Sequence, residues 1–217
     1  MITQAIQDYL KVIYKISETG QIASTNAIAA RLRVSQPSVT GMLKKLAEIR
    51  LISYTPYQGV KLTAAGRKIA LEIIRHHRLL ELYLAKAMGY SWDKVHQEAE
   101  KLEHFISEEF EQKMVEILGQ PTSDPHGAPI PAKNGKIQKR NLSSLSSIKI
   151  GEKVTVKQVS DRDPEKLRYL AQIGIQPDIV IVVTEKAPFE GPISVKIGKK
   201  QHHLGRGLTD QILVEKL

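Results

Sequence analysis

The stretch SQPSVTGMLKKLAEIRLISYTPYQGVKL, residues 35–62, decides the fold of the first third of the chain. Ser35 carries a hydroxyl suited to capping a helix, and Pro37 is tolerated in a first helical turn. Val39, Leu43 and Leu46 follow at helical spacing, which predicts a helix over 36–49. Residues 51–54 and 59–62 read as two short strands, with Pro56 in the turn between them. Upstream, Ser24 or Thr25 can cap a short helix over 26–32, and Arg33-Val34-Ser35 is a tight connection. Two short helices followed by a hairpin spell a winged helix-turn-helix.

The second helix then presents Ser35, Gln36, Pro37, Ser38 and Thr40 at the end that enters a major groove, with Thr25 on the helix before it. Lys44 and Lys45 follow along the same element and suit phosphate contacts, and Tyr57 and Lys61 lie on the wing. Charge agrees with this reading. The chain of 217 residues has a net charge of +9, and residues 1–74 hold 10 basic side chains against 4 acidic ones. Residues 75–140 are balanced at 10 and 10, so the excess positive charge sits mainly where DNA would bind.

Working outward, a helix over 2–16 precedes this unit, and helices over 64–88, 92–104 and 108–118 follow it. Prolines 121, 125, 129 and 131, Gly135 and four serines at 143–147 then describe a linker. The last third alternates short apolar runs with glycines and holds one short helix over 164–171. Its size suits a small β-barrel. The expected class is therefore mainly α with a small β domain. The expected domains are a winged helix-turn-helix (1–74), a helical metal-binding and dimerisation region with its linker (75–140) and the barrel (141–217). Cysteine is absent, which excludes disulfides and thiolate metal sites. No apolar run reaches the ~20 residues of a membrane span, and no signal peptide is evident, so the cytoplasm is the expected compartment.

Spacing also picks out a metal-like constellation. His77 and Glu81 share one helix face, and His96, Glu100, Glu103 and His104 follow at intervals of four, three and one. Imidazoles and carboxylates in this density suit a divalent first-row metal. Two competing readings fit less well. An enzyme would need a feature such as HExxH or a nucleophile–base pair, and neither is present. A metal-independent regulator sensing a small molecule would have no use for converging carboxylates.

The order of these parts resembles the iron- and manganese-dependent repressors of the DtxR/MntR type. The resemblance runs through SQPSVTGMLKKL (35–46), HHRLLELYL (76–84), KVHQEAEKLEHFISEE (94–109), HGAPIP (126–131) and DPEKLRYLAQIGIQPD (163–178), the last similar to a FeoA-like barrel. It implies a dimeric transcriptional repressor that binds a palindromic operator in double-stranded DNA when loaded with metal. It implies one metal site at Asp8, Glu100, Glu103 and His104. A second is implied at His77, Glu81 and His96, completed from the barrel by Asp161 or Asp163. Asp163 also reads as a helix cap, so Asp161 is preferred. With Asp8 and Glu100 where the iron branch has softer ligands, Mn²⁺ is expected over Fe²⁺ or another divalent metal. Two positions depart from the pattern. Lys11 stands where short manganese members have a second carboxylate, and Gly41 stands where iron-type members have a Gln.

Overall fold

Amphipathic spacing in the first third is converted directly into packed helices. In the computed structural model, which describes residues 2–55 and 59–217, α1 (Gln4–Glu18) buries Ile6, Leu10, Ile13 and Ile16 along one stripe. The side chain of Ser24 accepts from Ala27 N to cap α2 (Thr25–Leu32), and Ser35 does the same from Ser38 N for α3 (Gln36–Glu48). Arg33 turns the chain between them in the left-handed region, at φ 55°. Val39, Leu43 and Leu46 are fully buried on the inner face of α3. Strands β1 (Ile52–Thr55) and β2 (Gly59–Leu62) pair antiparallel, from Ile52 opposite Leu62 to Thr55 opposite Gly59. The expected wing is therefore present, and Tyr57 lies outside the described residues.

Thr63 starts α4 (Ala64–Lys86), its hydroxyl accepting from Gly66 N. Next come α5 (Val95–Leu102) and α6 (Glu108–Leu118), the latter capped by Ser107. The helix expected over 92–104 is thus shorter, and Glu103 and His104 sit in the turn beyond it. Tertiary bonds outcompete helix continuation there. The Glu103 carbonyl lies 3.3 Å from His76 Nδ1, and its carboxylate accepts from Lys11.

The chain forms two compact units. One comprises residues up to 76 together with Glu103–Ile106 and Pro131–Lys136. The other comprises His77–Leu102, Ser107–Ile130 and Ile137–Leu217. The stretch expected to be a linker is packed rather than loose: Asp124, His126, Ala128 and Ile130 are all buried. Asp124 folds it, its Oδ1 accepting from the backbone N–H groups of His126 and Ala128, both at 2.9 Å.

The last third is a six-stranded antiparallel sheet. It is built from β3 (Ser143–Ser144), β4 (Lys153–Val159), β5 (Val180–Lys186), β6 (Ile193–Ile197), β7 (Lys200–Leu204) and β8 (Ile212–Lys216). Their order is β3-β8-β4-β5-β6-β7. Helix α7 (Pro164–Gln172) contributes Leu167 and Leu170 to the core, which also holds Val154, Val156, Ile181 and Val195. A short α8 (Arg206–Thr209) precedes β8. The expected barrel does not close: β3 is two residues long, and among the described residues it pairs only with β8. The small β domain is an open, curled sheet whose two bulges, at Val156/Gln158 and Val183/Glu185, increase its bend.

Candidate metal centres and nucleic-acid groove

The winged unit carries a groove of about 860 Å³ between the start of α2, the exposed face of α3 and β1. Thr25, Gln36, Pro37, Thr40, Lys44 and Tyr54 line it. Capping consumes part of the polar display expected for base contacts. The Ser35 and Ser38 hydroxyls bond each other at 2.8 Å, and Thr40 Oγ1 donates to Gln36 O at 3.1 Å. The Thr40 hydroxyl is thereby turned to its own helix, and Asn26, Gln36 and Lys44 are exposed polar side chains lining the groove. Lys45 is also exposed on α3, as is Lys61 on β2. Tyr54, on β1 of the wing, was missed by sequence reasoning.

A first cluster of metal-ligating groups joins Asp8, Glu103 and His104 in the same compact unit. His104 Nε2 lies 3.0 Å from Asp8 Oδ1 and 3.5 Å from Glu103 Oε1. Its Nδ1 lies 2.8 Å from Gln7 Oε1, which fixes the ring. With the Nδ1 proton given to Gln7, Nε2 presents a lone pair to two carboxylates, a set that fits a divalent cation. Lys11 enters this cluster from α1: Nζ donates to both Glu103 oxygens, at 2.6 and 2.8 Å, with both side chains buried. Glu100 belongs to the other unit, where its Oε1 is 3.9 Å from His96 Nε2.

A second cluster brings together His77, Glu81, His96 and Asp161. Glu81 Oε1 lies 3.0 Å from both His77 Nε2 and His96 Nδ1, and Asp161 Oδ2 lies 3.5 Å from His96 Nδ1. Asp163 is occupied elsewhere: its Oδ1 accepts from Glu165 N and Lys166 N at the start of α7. Next to this set stand Asp124 and His126, two buried groups that the reading of a linker passed over. A His and an Asp set between prolines, in a segment too rich in buried side chains for a linker, were the available signal.

Electrostatics across this second cluster are coupled. Burial alone would raise Glu81, but the imidazoles of His77, His126 and His96 hold its carboxyl well below the usual range. Burial, reinforced by the Glu81 charge, pushes Asp124 up to about 7. Burial would lower His126, yet Glu81 and Asp124 push it up to about 9. The site as a whole draws positive charge. Every donor in both clusters is oxygen or imidazole nitrogen, the set that suits Mn²⁺ or Fe²⁺.

Comparison with known proteins agrees. Residues 1–60 match the family described as iron dependent repressor, N-terminal DNA binding domain. Residues 63–132 match its metal binding and dimerisation domain, and residues 143–216 match the FeoA domain. The iron-dependent repressor IdeR of Mycobacterium tuberculosis is 30% identical, over 96% of each chain. The chain belongs to the iron-dependent repressor family. The repressor is also 33% identical to the diphtheria toxin repressor of Corynebacterium efficiens, over 77% of each chain. Among solved structures, a manganese-dependent transcriptional repressor in complex with manganese superposes with a TM-score of 0.92 at 40% identity. That match covers 98% of this chain and all of the other. The structure of ScaR with bound Cd²⁺ gives 0.83 at 32% identity, covering 98% and 99%. This is a family of transcriptional repressors, not enzymes, and no helix among the described residues is long and apolar enough to cross a membrane.

Proposed function

We propose that the repressor is a manganese-responsive homodimer that binds a palindromic operator in the cytoplasm and represses metal-homeostasis genes. The observation that carries the metal assignment is the donor set. Asp8, Glu103 and His104 in one unit, and His77, Glu81, His96 and Asp161 in the other, supply hard oxygen and imidazole nitrogen with no sulfur. Bound there, a divalent ion supplies the positive charge that these carboxylates and lone pairs converge on. Asp8 ties the site to α1 of the DNA-binding unit, and Gln7 orients His104. Manganese-dependent structural relatives support this choice, and the iron-dependent names of IdeR relatives support Fe²⁺ as the second reading. Dimerisation is supported by the apolar side chains left exposed on α6, Phe110 and Ile117, and by Leu102 at the end of α5. Val95 and Met114, on the same two helices, are buried within the chain.

The test selects an operator from a random duplex library with metal-loaded protein. DNA binding is then titrated with Mn²⁺, Fe²⁺ and Zn²⁺ after chelation. Mn²⁺ is expected to restore binding at the lowest concentration, and restoration by Zn²⁺ first, or binding indifferent to chelation, overturns the reading. Lys44→Ala with Lys45→Ala removes two phosphate-directed charges from α3. Operator affinity is expected to fall about tenfold or more, with the salt dependence flattened by about one log unit per lost contact. An unchanged salt slope would place the DNA on another face.

A further inference from the structure

Two buried polar atoms, Glu81 Oε2 and His126 Nδ1, face each other at 3.8 Å with no hydrogen-bond partner among the described residues. Both side chains are essentially sealed from solvent, at 0% and 1% exposed. The His126 ring is held in place. Its Nε2 donates to the carbonyl of Trp92 at 2.8 Å, its face stacks on the Trp92 ring, and its backbone carbonyl accepts from Val159 N. With Nε2 engaged by Trp92, Nδ1 is the ring atom turned toward the Glu81 carboxylate oxygen, and neither buried atom has another hydrogen-bond partner among the described residues. A positive charge held between the two would serve both.

The local charge count points the same way. Glu81, Asp124 and Asp161 bring three carboxylates, and the nearby guanidinium of Arg78 reaches Asp124 only at 3.7 Å. Glu81 divides its two oxygens. Oε1 is shared between His77 and His96, while Oε2 faces His126, and Asp124 completes that second group. The geometry points to a second cation position at Glu81 Oε2, His126 Nδ1 and Asp124, adjacent to the His77–His96–Asp161 position and bridged to it by the Glu81 carboxylate. The unit therefore holds a carboxylate-bridged pair of divalent ions, not one. This inference rests on the metal-binding reading of the same unit.

Mn²⁺ alone is the probe, on the full chain, read by equilibrium dialysis and electron paramagnetic resonance. The wild-type protein is expected to show the spectrum of a spin-coupled Mn²⁺ pair beside an isolated ion. His126→Gln is expected to lose one equivalent of Mn²⁺ per chain and the coupled signal, while keeping the isolated signals. Asp124→Asn, read in the same way, covers the case in which His126→Gln does not fold. A wild-type spectrum of isolated ions only, or a stoichiometry unchanged in these variants, overturns the pair. His77→Gln separates the two ideas. If it also leaves Mn²⁺ stoichiometry and spectrum unchanged, this unit binds no metal and the broader reading of the site fails. If it removes one isolated ion from a wild type that shows no coupling, only the pair is wrong.

Discussion

Lys11→Met is expected to destabilise the metal-free repressor by about 3–5 kcal/mol, the usual cost of removing one partner from a buried ion pair. The ammonium lies within 2.6 and 2.8 Å of the two Glu103 oxygens, and both side chains are buried. Methionine keeps most of the apolar stem and removes the charge, so packing loss contributes little. Glu103 would then carry its negative charge in a site where Asp8 is already close to the same imidazole. The informative part is the dependence on metal. If Glu103 is a ligand, Mn²⁺ returns positive charge to the same carboxylate, and the loss measured by denaturant unfolding shrinks when Mn²⁺ is present. An equal loss with and without Mn²⁺ would remove Glu103 from the ligand set. Lys11 also gives the departure from the short manganese pattern a physical meaning: a fixed ammonium, not a second acid, faces Glu103.

Gly127→Ala is expected to cost about 2–6 kcal/mol, combining backbone strain with overpacking. Gly127 adopts φ +89°, and a Cβ there would stand 1.9 Å from the carbonyl oxygen of Lys157. The clash is with backbone, so no side-chain rotation relieves it. The neighbouring bonds would be disturbed with it: Arg140 donates to Gly127 O, and Val159 N donates to His126 O. Mn²⁺ bound in this unit should weaken in parallel, because His126 is positioned by the same turn. Gly119→Ala is the control: φ is +71° there, but nothing lies within 4 Å of the added carbon. Thermal unfolding should therefore show a small shift for Gly119→Ala and a large one for Gly127→Ala. Similar shifts would mean that the close approach of residue 127 to Lys157 is not a constraint on the fold.

The winged helix-turn-helix was legible because its signals are local. Ser24 and Ser35 cap the helices they precede, and Val39, Leu43 and Leu46 mark the buried face. Asp161 and Asp163 were also separable, since a residue just before Pro164 has the position of a cap. The end of α5 was not legible. Helical spacing continued through His104, and contacts with α1, ninety or more residues away, and with His76 on α4 draw Glu103 and His104 out of the helix. That change matters for the site, because it sets Glu103 and His104 beside Asp8 and leaves Glu100 beside His96. The segment 119–147 misled for a different reason. Proline, glycine and serine describe a flexible linker by composition, but Asp124 closes a tight turn and Arg78 donates to the Pro129 carbonyl. Barrel closure depends on which edge strands meet, which alternation along a strand does not encode.

In the proposed function, divalent metal is the effector of operator binding. Linkage makes it directly measurable: if metal raises operator affinity by some factor, operator DNA raises metal affinity by the same factor. Mn²⁺ affinity should be measured by calorimetry on the full chain, alone and saturated with the selected operator duplex. A coupling of about 1–3 kcal/mol, roughly 5–150-fold, is typical of such switches, and tighter Mn²⁺ binding in the presence of DNA within that range is the predicted result. Equal Mn²⁺ affinities in the two titrations would mean that metal is not the effector and would leave it only a structural role.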